Sequence, residues 1–500
     1  MRMPVLLFVV ILAMVASACS PSADSEQPEP SDVSTTSQAA PSETTPQAST
    51  SEAPGVGVMV PASEAAAARN HAGYTFPEAP AYPSGPTDPE LVTTITNLFN
   101  GLEVSVNLDR IAEIGASGDP RAAWLIADLM RFIAPGDTLD VLTAGFQNVT
   151  ETSLSADPIA QRSQWQSATD HLMAWDIPAL DEYQTWKARL FSIVDDRWAP
   201  IFDDEDADID WRILSWGGVL IDDRPLGTDT GCVRGCIPAL DDPTVTPASG
   251  GDWYPDDSIV FGVTINGESR AYPKNIMEVH EMVNDTLGDR RIGVPYCTLC
   301  GSAQAYLTDS VPEGDDIPIL RTSGLLSRSN KVMFDLTTFS VFDTFTGVAV
   351  SGPLQEQGIT LDQASVTTST WGEWKEAHPD TTIVARDGGI GRTYADDPLQ
   401  GRDDNGPIFP IGDVDERLPA QAKVLGLIGE DGNPVAFPVE QVLAHLDAGG
   451  TIEHKGVSVV RDASGLTAVA ADGSDPGVHE SFWFAWSQFH PETQLWQPQG

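Results

Sequence analysis

One phrase occurs twice in this chain and constrains its fold more than any other feature. Trp371-Gly-Glu-Trp-Lys-Glu-Ala-His-Pro-Asp-Thr381 returns as Trp483-Phe-Ala-Trp-Ser-Gln-Phe-His-Pro-Glu-Thr493. The spacing W-x-x-W-x-x-x-H-P puts both Trp and the His on one helical face, and the Pro ends the helix. Earlier stretches correspond as well. The run from Ile259 to Pro273 reads as a β-hairpin turning at Asn266-Gly267. Val424 to Pro438 repeats it, with Asp431-Gly432 at the turn and Phe437-Pro438 in the place of Tyr272-Pro273. A helix follows each hairpin, the first expected at 275–283 and succeeded by a strand at 291–296. Internal duplication of a β-rich unit explains this most economically, with copy one at about 258–384 and copy two at about 422–496. Two packed copies make one pseudo-symmetric body. The expected fold class is α+β: an N-terminal all-α helical module (89–208), then a β-rich, internally duplicated α+β domain (209–500).

In the helical module Leu91, Ile95, Leu98 and Phe99 recur at helical spacing. Residues 110–130 give two amphipathic segments broken at Gly118-Asp119-Pro120, where Asp119 caps the second helix. The phrase resembles one unit of a HEAT-type repeat, whereas such arrays need about three units. Further helices are expected at 161–174 and 178–194, and Trp165, Trp175, Trp186 and Trp198 read as core anchors or as a binding groove.

The first 18 residues read as a secretory signal peptide: Met1-Arg2, an apolar run from Pro4 to Val15, then Ala16-Ser17-Ala18. Cys19 directly after small residues is similar to the lipobox of bacterial lipoproteins, which makes it the lipidated residue; an ordinary signal peptide is the alternative. Residues 19–88 form a Ser/Thr/Pro/Glu-rich tether too poor in apolar side chains to order itself through residue 57. This places the protein in the cell envelope, on the outer face of a bacterial membrane through the lipid on Cys19. The 73 acidic against 27 basic side chains give a net charge of −46. Such a chain lacks the Lys/Arg patches that displace counterions from DNA or RNA, so no nucleic-acid partner is expected.

What both copies keep reads as scaffold, and what one copy has alone is the better candidate for chemistry. His378 and His490 correspond, and His280 has His445 as its counterpart. Thiols occur in copy one alone: Cys297-Thr-Leu-Cys300 faces 461–464 of copy two. Cys232 and Cys236 precede it as a C-x3-C pair. Three readings stand. Cys297 and Cys300 form a catalytic redox dithiol that exchanges electrons with a thiol or redox protein partner. Alternatively, Cys232, Cys236, Cys297 and Cys300, with His280, hold zinc or copper. As a third possibility, each pair is a structural disulfide. Thiols gathered in one place favour metal or a relay, while two isolated pairs favour a redox pair plus a staple. A thioredoxin fold is disfavoured, because 301–307 reads as a strand rather than the long helix that fold needs.

Several phrases together resemble a known family. They are Cys236-Ile-Pro-Ala-Leu-Asp-Asp-Pro243, His280-Glu-Met-Val-Asn-Asp285, Tyr296-Cys-Thr-Leu-Cys-Gly-Ser302, Ser323-Gly-Leu-Leu326 through Asn330, and Thr370-Trp-Gly-Glu-Trp-Lys375. The bacterial family of domain of unknown function 3179 is similar, with "GIPALDDP", "WHEIVND", "YCPLCGSA", "SGLLYNSNLVMYD" and "TTWGEW". Thr298 stands in place of the family's Pro, Arg328 in place of Asn, and Phe342 where Trp is usual. Some members are selenoproteins with selenocysteine in the C-x-x-C-like motif, so the resemblance implies redox chemistry at Cys297 and Cys300. A non-catalytic surface binding module is the reading from another class. Walker A, H-E-x-x-H and G-x-S-x-G signatures do not occur in the sequence.

Overall fold

The computed structural model describes residues 57–62, 67–228, 231–403 and 406–498. The leader, Cys19 and the tether through residue 56 lie outside the described residues. Helices Pro89–Gly101, Leu108–Gly115, Ala123–Arg131, Asp137–Thr150, Gln164–Trp175 and Tyr183–Val194 build the helical module. Local chemistry starts them: Asp88 accepts from the Glu90 N–H with Pro89 in the first turn, and Asp119 accepts from the Arg121 N–H ahead of Ala123–Arg131. Trp165, Trp186 and Trp198 are buried; Trp175 is half-buried and donates to Pro77 O. The core of these helices continues into Leu214, Trp216, Leu325, Val332, Phe334 and Val341. Those residues belong to a sheet ordered Val341–Phe342, Asn330–Asp335, Leu320–Ser327, Leu214–Trp216, so the helical module shares apolar packing with the β-rich part.

The tether corrects one expectation. Val58–Val60 pairs antiparallel with Gln494–Gln497 as an edge strand. Asn70 is buried with its Nδ2 donating to Asp157 Oδ1 at 3.0 Å, and Phe76 is buried too. Residues 57–62 and 67–88 therefore pack on the body rather than tethering it. Their composition hid this, because an open sheet edge recruits a short strand through backbone groups that carry no sequence period.

The duplication is visible strand for strand. One sheet runs Val366–Thr370, Ile259–Ile265, Glu268–Pro273, Thr382–Val384, Val245–Pro247. Another runs His479–Phe482, Lys423–Ile428, Pro434–Pro438, Gln494–Gln497, Val58–Val60. In both, the second and third strands are the antiparallel hairpin and the fourth lies parallel to the third. The repeated phrase explains itself here. Trp374 and Trp486 donate Nε1–H to Thr381 and Thr493 Oγ1 at 3.0 and 2.8 Å. His378 and His490 cap their helices by N–H bonds to Trp374 and Trp486 O, and their rings lie 3.8 and 4.3 Å from the same indoles. Each indole covers a glycine in the second strand of its sheet. A Cβ at Gly262 would sit 2.3 Å from Trp374, and one at Gly426 would sit 2.0 Å from Trp486. Gly262→Ala and Gly426→Ala are each expected to cost about 3 kcal/mol by overpacking, read from chemical unfolding midpoints. An unchanged midpoint in either variant contradicts the packing account.

Two local expectations differ. The helix after the first hairpin is Lys274–His280 and ends three residues earlier than expected, because Glu281 turns left-handed at φ 51 and Met282–Leu287 is a strand. The second hairpin closes at the Ile428–Pro434 pair, so Asp431-Gly432 lies in a longer loop than a two-residue turn.

Candidate functional site

Copy one's cysteines lie at the tip of a hairpin. Strand Arg290–Cys297 runs into a 3-10 turn, Thr298–Cys300, and returns as Ser302–Ala303, with Cys297 opposite Ser302. Gly301 makes the reversal at φ 59, and a Cβ there would lie 2.9 Å from the Phe482 ring, so glycine meets both demands. In copy two the same place is the tip between Val457–Asp462 and Gly465–Ala470. The copies exchange these tips. Copy two's tip rests on Val366–Thr370, where Ser464 Oγ accepts from the Thr370 N–H at 2.9 Å and Asp462 Oδ1 lies 2.8 Å from His378 Nε2. Copy one's tip rests on His479–Phe482. Where copy two is polar, the dithiol is packed among Phe345, Val424, Phe482, Trp483 and Trp486.

Both cysteines are free thiols, 2% and 0% exposed. Both face one carbonyl, Ser329 O, at 3.8 Å from Cys297 Sγ and 3.5 Å from Cys300 Sγ. Burial on its own pushes both thiols up. At Cys297 the Cys300 S–H and the backbone N–H groups of Lys331 and Cys300 outweigh burial, holding this thiol below its ordinary value. Cys300 moves the opposite way. Burial, its donation to Cys297, and the charges of Cys297 and Glu281 push it well up. Of the two, Cys297 gives up its proton first and Cys300 retains its own longer.

A buried ion pair flanks the dithiol. Lys331 is 3% exposed, and its Nζ donates to Glu281 O and to Thr322 Oγ1 at 3.2 Å, while Glu281 Oε2 stands 3.8 Å away. The Glu281 side chain is 14% exposed, and its Oε1 accepts from Thr298 Oγ1 at 3.3 Å, which ties it to the residue between the cysteines. Burial raises Glu281 against the pull of Lys331, and burial lowers Lys331 against the pull of Glu281 and Cys297. Sequence reasoning missed both residues. Glu281 was expected inside a helix, and Lys331 lies in the strand Asn330–Asp335 with nothing local to mark it.

The other cysteines form a separate feature. Cys232 and Cys236 are joined as a disulfide. Among the described residues they group with Asp222, the three ligand atoms lying within 4.8 Å of one another, and neither Cys297, Cys300 nor His280 joins that group. Asp222 is already engaged: Arg224 reaches it at 2.6 and 2.9 Å, and the Ala239 N–H at 2.8 Å. His280 has both nitrogens occupied, Nδ1 2.6 Å from Pro238 O and Nε2 2.7 Å from Tyr394 OH. Burial pushes it down to about 4, so the ring is neutral, Nδ1 donates and Nε2 accepts. No lone pair is left for a metal. The other matched motif residues hold the frame. Asp241 takes two bonds from Arg321 at 2.8 and 2.7 Å and one from Asn284, and Asp285 binds Arg270 and Tyr272. The five sequence candidates thus form two pairs and one separate histidine.

The family model described as protein of unknown function (DUF3179) matches residues 234–477. No curated protein and no solved structure matches the chain.

Proposed function

This chain belongs to the DUF3179 family, proteins of unknown function, and from its own geometry we propose that it is a thiol–disulfide oxidoreductase working through Cys297 and Cys300. The observation that carries this reading is the asymmetry of two thiols placed on one carbonyl: Cys297 is held below its ordinary value by the Cys300 S–H and two backbone N–H groups, and Cys300 is pushed well above it. A thiol buried simply as a small apolar side chain has no such donors aimed at it. In the exchange, Cys297 Sγ attacks one sulfur of a partner disulfide, forming a mixed disulfide and releasing one partner thiolate. Cys300 then gives its proton to the released partner thiolate and attacks Cys297 Sγ, which breaks the mixed disulfide and releases the second partner thiolate, protonated by water. Two electrons pass from the dithiol to the partner, and the products are a Cys297–Cys300 disulfide and two partner thiols. The run in the opposite direction oxidises a partner dithiol. At 2% and 0% exposure, exchange requires the residues covering the tip to move first.

The Cys232–Cys236 disulfide staples the loop that leads into the domain. Zinc or copper bound by the two pairs together is the weaker reading, since the pairs and His280 do not gather. Among the described residues no helix is long and apolar enough to cross a membrane. We place the protein on the outer face of a bacterial membrane through lipid on Cys19; Cys19→Ser should release it from the membrane fraction, and retention there would refute the anchor.

Trace alkylation of the reduced full chain at neutral pH tests the dithiol reading. The first adduct should fall on Cys297. First labelling on Cys300, or equal labelling of both, would remove the basis for the asymmetry.

A further inference from the structure

We propose that a cavity beside the dithiol admits small carboxylate-bearing disulfides and thiols, held by Arg328 and Asn330; this rests on the redox reading above and names its substrate class. The cavity has a volume of about 290 Å³, and its polar lining includes Arg328, Asn330 and Lys331 beside the carboxylates of Asp208, Asp210 and Asp343. That volume is at the small end for ligand pockets and suits a compound of amino-acid to dipeptide size. Three parts of the chain meet there: the segment leaving the helical module, the Ser327–Asn330 hairpin turn, and the helix Trp483–Phe489 of copy two.

The turn forms both the cavity wall and the support of the dithiol. Ser329 O faces both thiols, the Lys331 N–H faces Cys297, and Asn330 and Lys331 line the cavity. The sulfurs therefore lie directly behind this wall, and motion of the turn joins the two spaces. The turn itself is strained. Arg328 sits at φ 52, a left-handed conformation that a non-glycine side chain rarely adopts, and is held there by its N–H bond to Ile213 O at 2.9 Å.

Two groups in the cavity lack partners among the described residues. Arg328 is half-buried, and among the described residues its guanidinium has no hydrogen bond or ion pair; Asp413, Asp210 and Asp176 attract it from beyond contact. Asp210 is itself paired with Arg212 at 2.7 Å. Asn330 is 2% exposed, and its Oδ1 has no donor. A free guanidinium takes a carboxylate in a two-point bond, and an unfilled amide oxygen takes an N–H. A ligand carrying both groups near a sulfur is a cysteine-like thiol or its disulfide. The reaction is the exchange written above: a carboxylate-bearing disulfide is reduced to two thiols as Cys297 and Cys300 become a disulfide.

Three disulfides of similar size test the class on the reduced full chain at low salt: dithiodiglycolate (anionic), bis(2-hydroxyethyl) disulfide (neutral) and cystamine (cationic). The protein's charge of −46 repels the first and attracts the last. Oxidation of the Cys297–Cys300 pair is nevertheless expected to run about tenfold faster with dithiodiglycolate than with cystamine. Arg328→Gln should abolish that preference and Arg328→Lys should keep part of it. Cystamine reacting faster, or one order of rates in wild type and Arg328→Gln, overturns the proposal while leaving the redox reading intact. Calorimetry with thiodiglycolate, a thioether that cannot exchange, reads the cavity alone. Binding to wild type that is lost in Arg328→Gln supports the carboxylate site even if no disulfide reacts, an outcome that would sink the redox reading separately. Failure of thiodiglycolate to bind wild type overturns the site.

Discussion

Lys331→Met is expected to destabilise the protein by about 3–5 kcal/mol, because it leaves Glu281 as an uncompensated charge in a nearly closed site. The side chains are 3% and 14% exposed, so solvent does little to screen the loss. The Lys331 ammonium also drops its bonds to Glu281 O and Thr322 Oγ1. Glu281→Gln alone should cost less, since the amide keeps the Thr298 contact and leaves a Lys that still reaches two oxygens. The double variant Lys331→Met/Glu281→Gln should recover most of the stability, because removing both charges also removes their desolvation. The thiolate supplies an independent readout. Lys331→Met raises the Cys297 titration, since a neighbouring cation is gone. Glu281→Gln lowers it, since that carboxylate pushes the thiol up. Equilibrium unfolding and pH-dependent alkylation of the four proteins measure both effects. Additive stabilities would show that the two charges do not act as a pair, and a Cys297 titration unmoved by either change would show that they do not act on the dithiol.

Cys297→Ser is expected to abolish reversible two-electron exchange completely, and Cys232→Ser is expected to leave it in place. The reason is positional. Cys297 receives the Cys300 S–H and two backbone N–H groups, whereas the Cys232–Cys236 disulfide neighbours a carboxylate already bound by Arg224. Serine keeps nearly the volume of cysteine, so Cys297→Ser should fold and stay within about 2 kcal/mol of wild type. Cys300→Ser should instead trap mixed disulfides, because the attacking thiolate remains and the resolving thiol is gone. Mass analysis after incubation with a small disulfide separates the three. A trapped adduct on Cys300→Ser with none on Cys297→Ser supports the assigned roles, and the reverse pattern would exchange them.

Much of the fold was legible in the sequence because duplication repeats whole phrases. The Trp–His–Pro–Thr phrase specifies a helix, its cap and an indole bond to Thr381 or Thr493, all within eleven residues. Comparing the copies also singled out Cys297 and Cys300, since copy two carries a short polar tip at that place. What the sequence concealed depends on contacts between distant residues. Gly262 and Gly426 read as ordinary strand residues until Trp374 and Trp486, indoles from far along the chain, pack on the first and the second. Glu281 and Lys331 are fifty residues apart and meet only because the left-handed Glu281 ends a helix where Asn330–Asp335 passes. The family phrase has Leu at the place of Lys331, so motif matching passes over it. Residues 57–88 were concealed for another reason: edge-strand pairing uses backbone, and composition does not report it.

The central claim is that Cys297 and Cys300 are a working dithiol, and its most direct test is redox titration of the full chain with mass readout at each cysteine. The account predicts a reversible Cys297–Cys300 couple between about −180 and −300 mV, with Cys232–Cys236 remaining oxidised across that range. A couple far below about −300 mV would mark a structural bridge, and thiols that never pair would mark inert core residues. Either result would contradict the account.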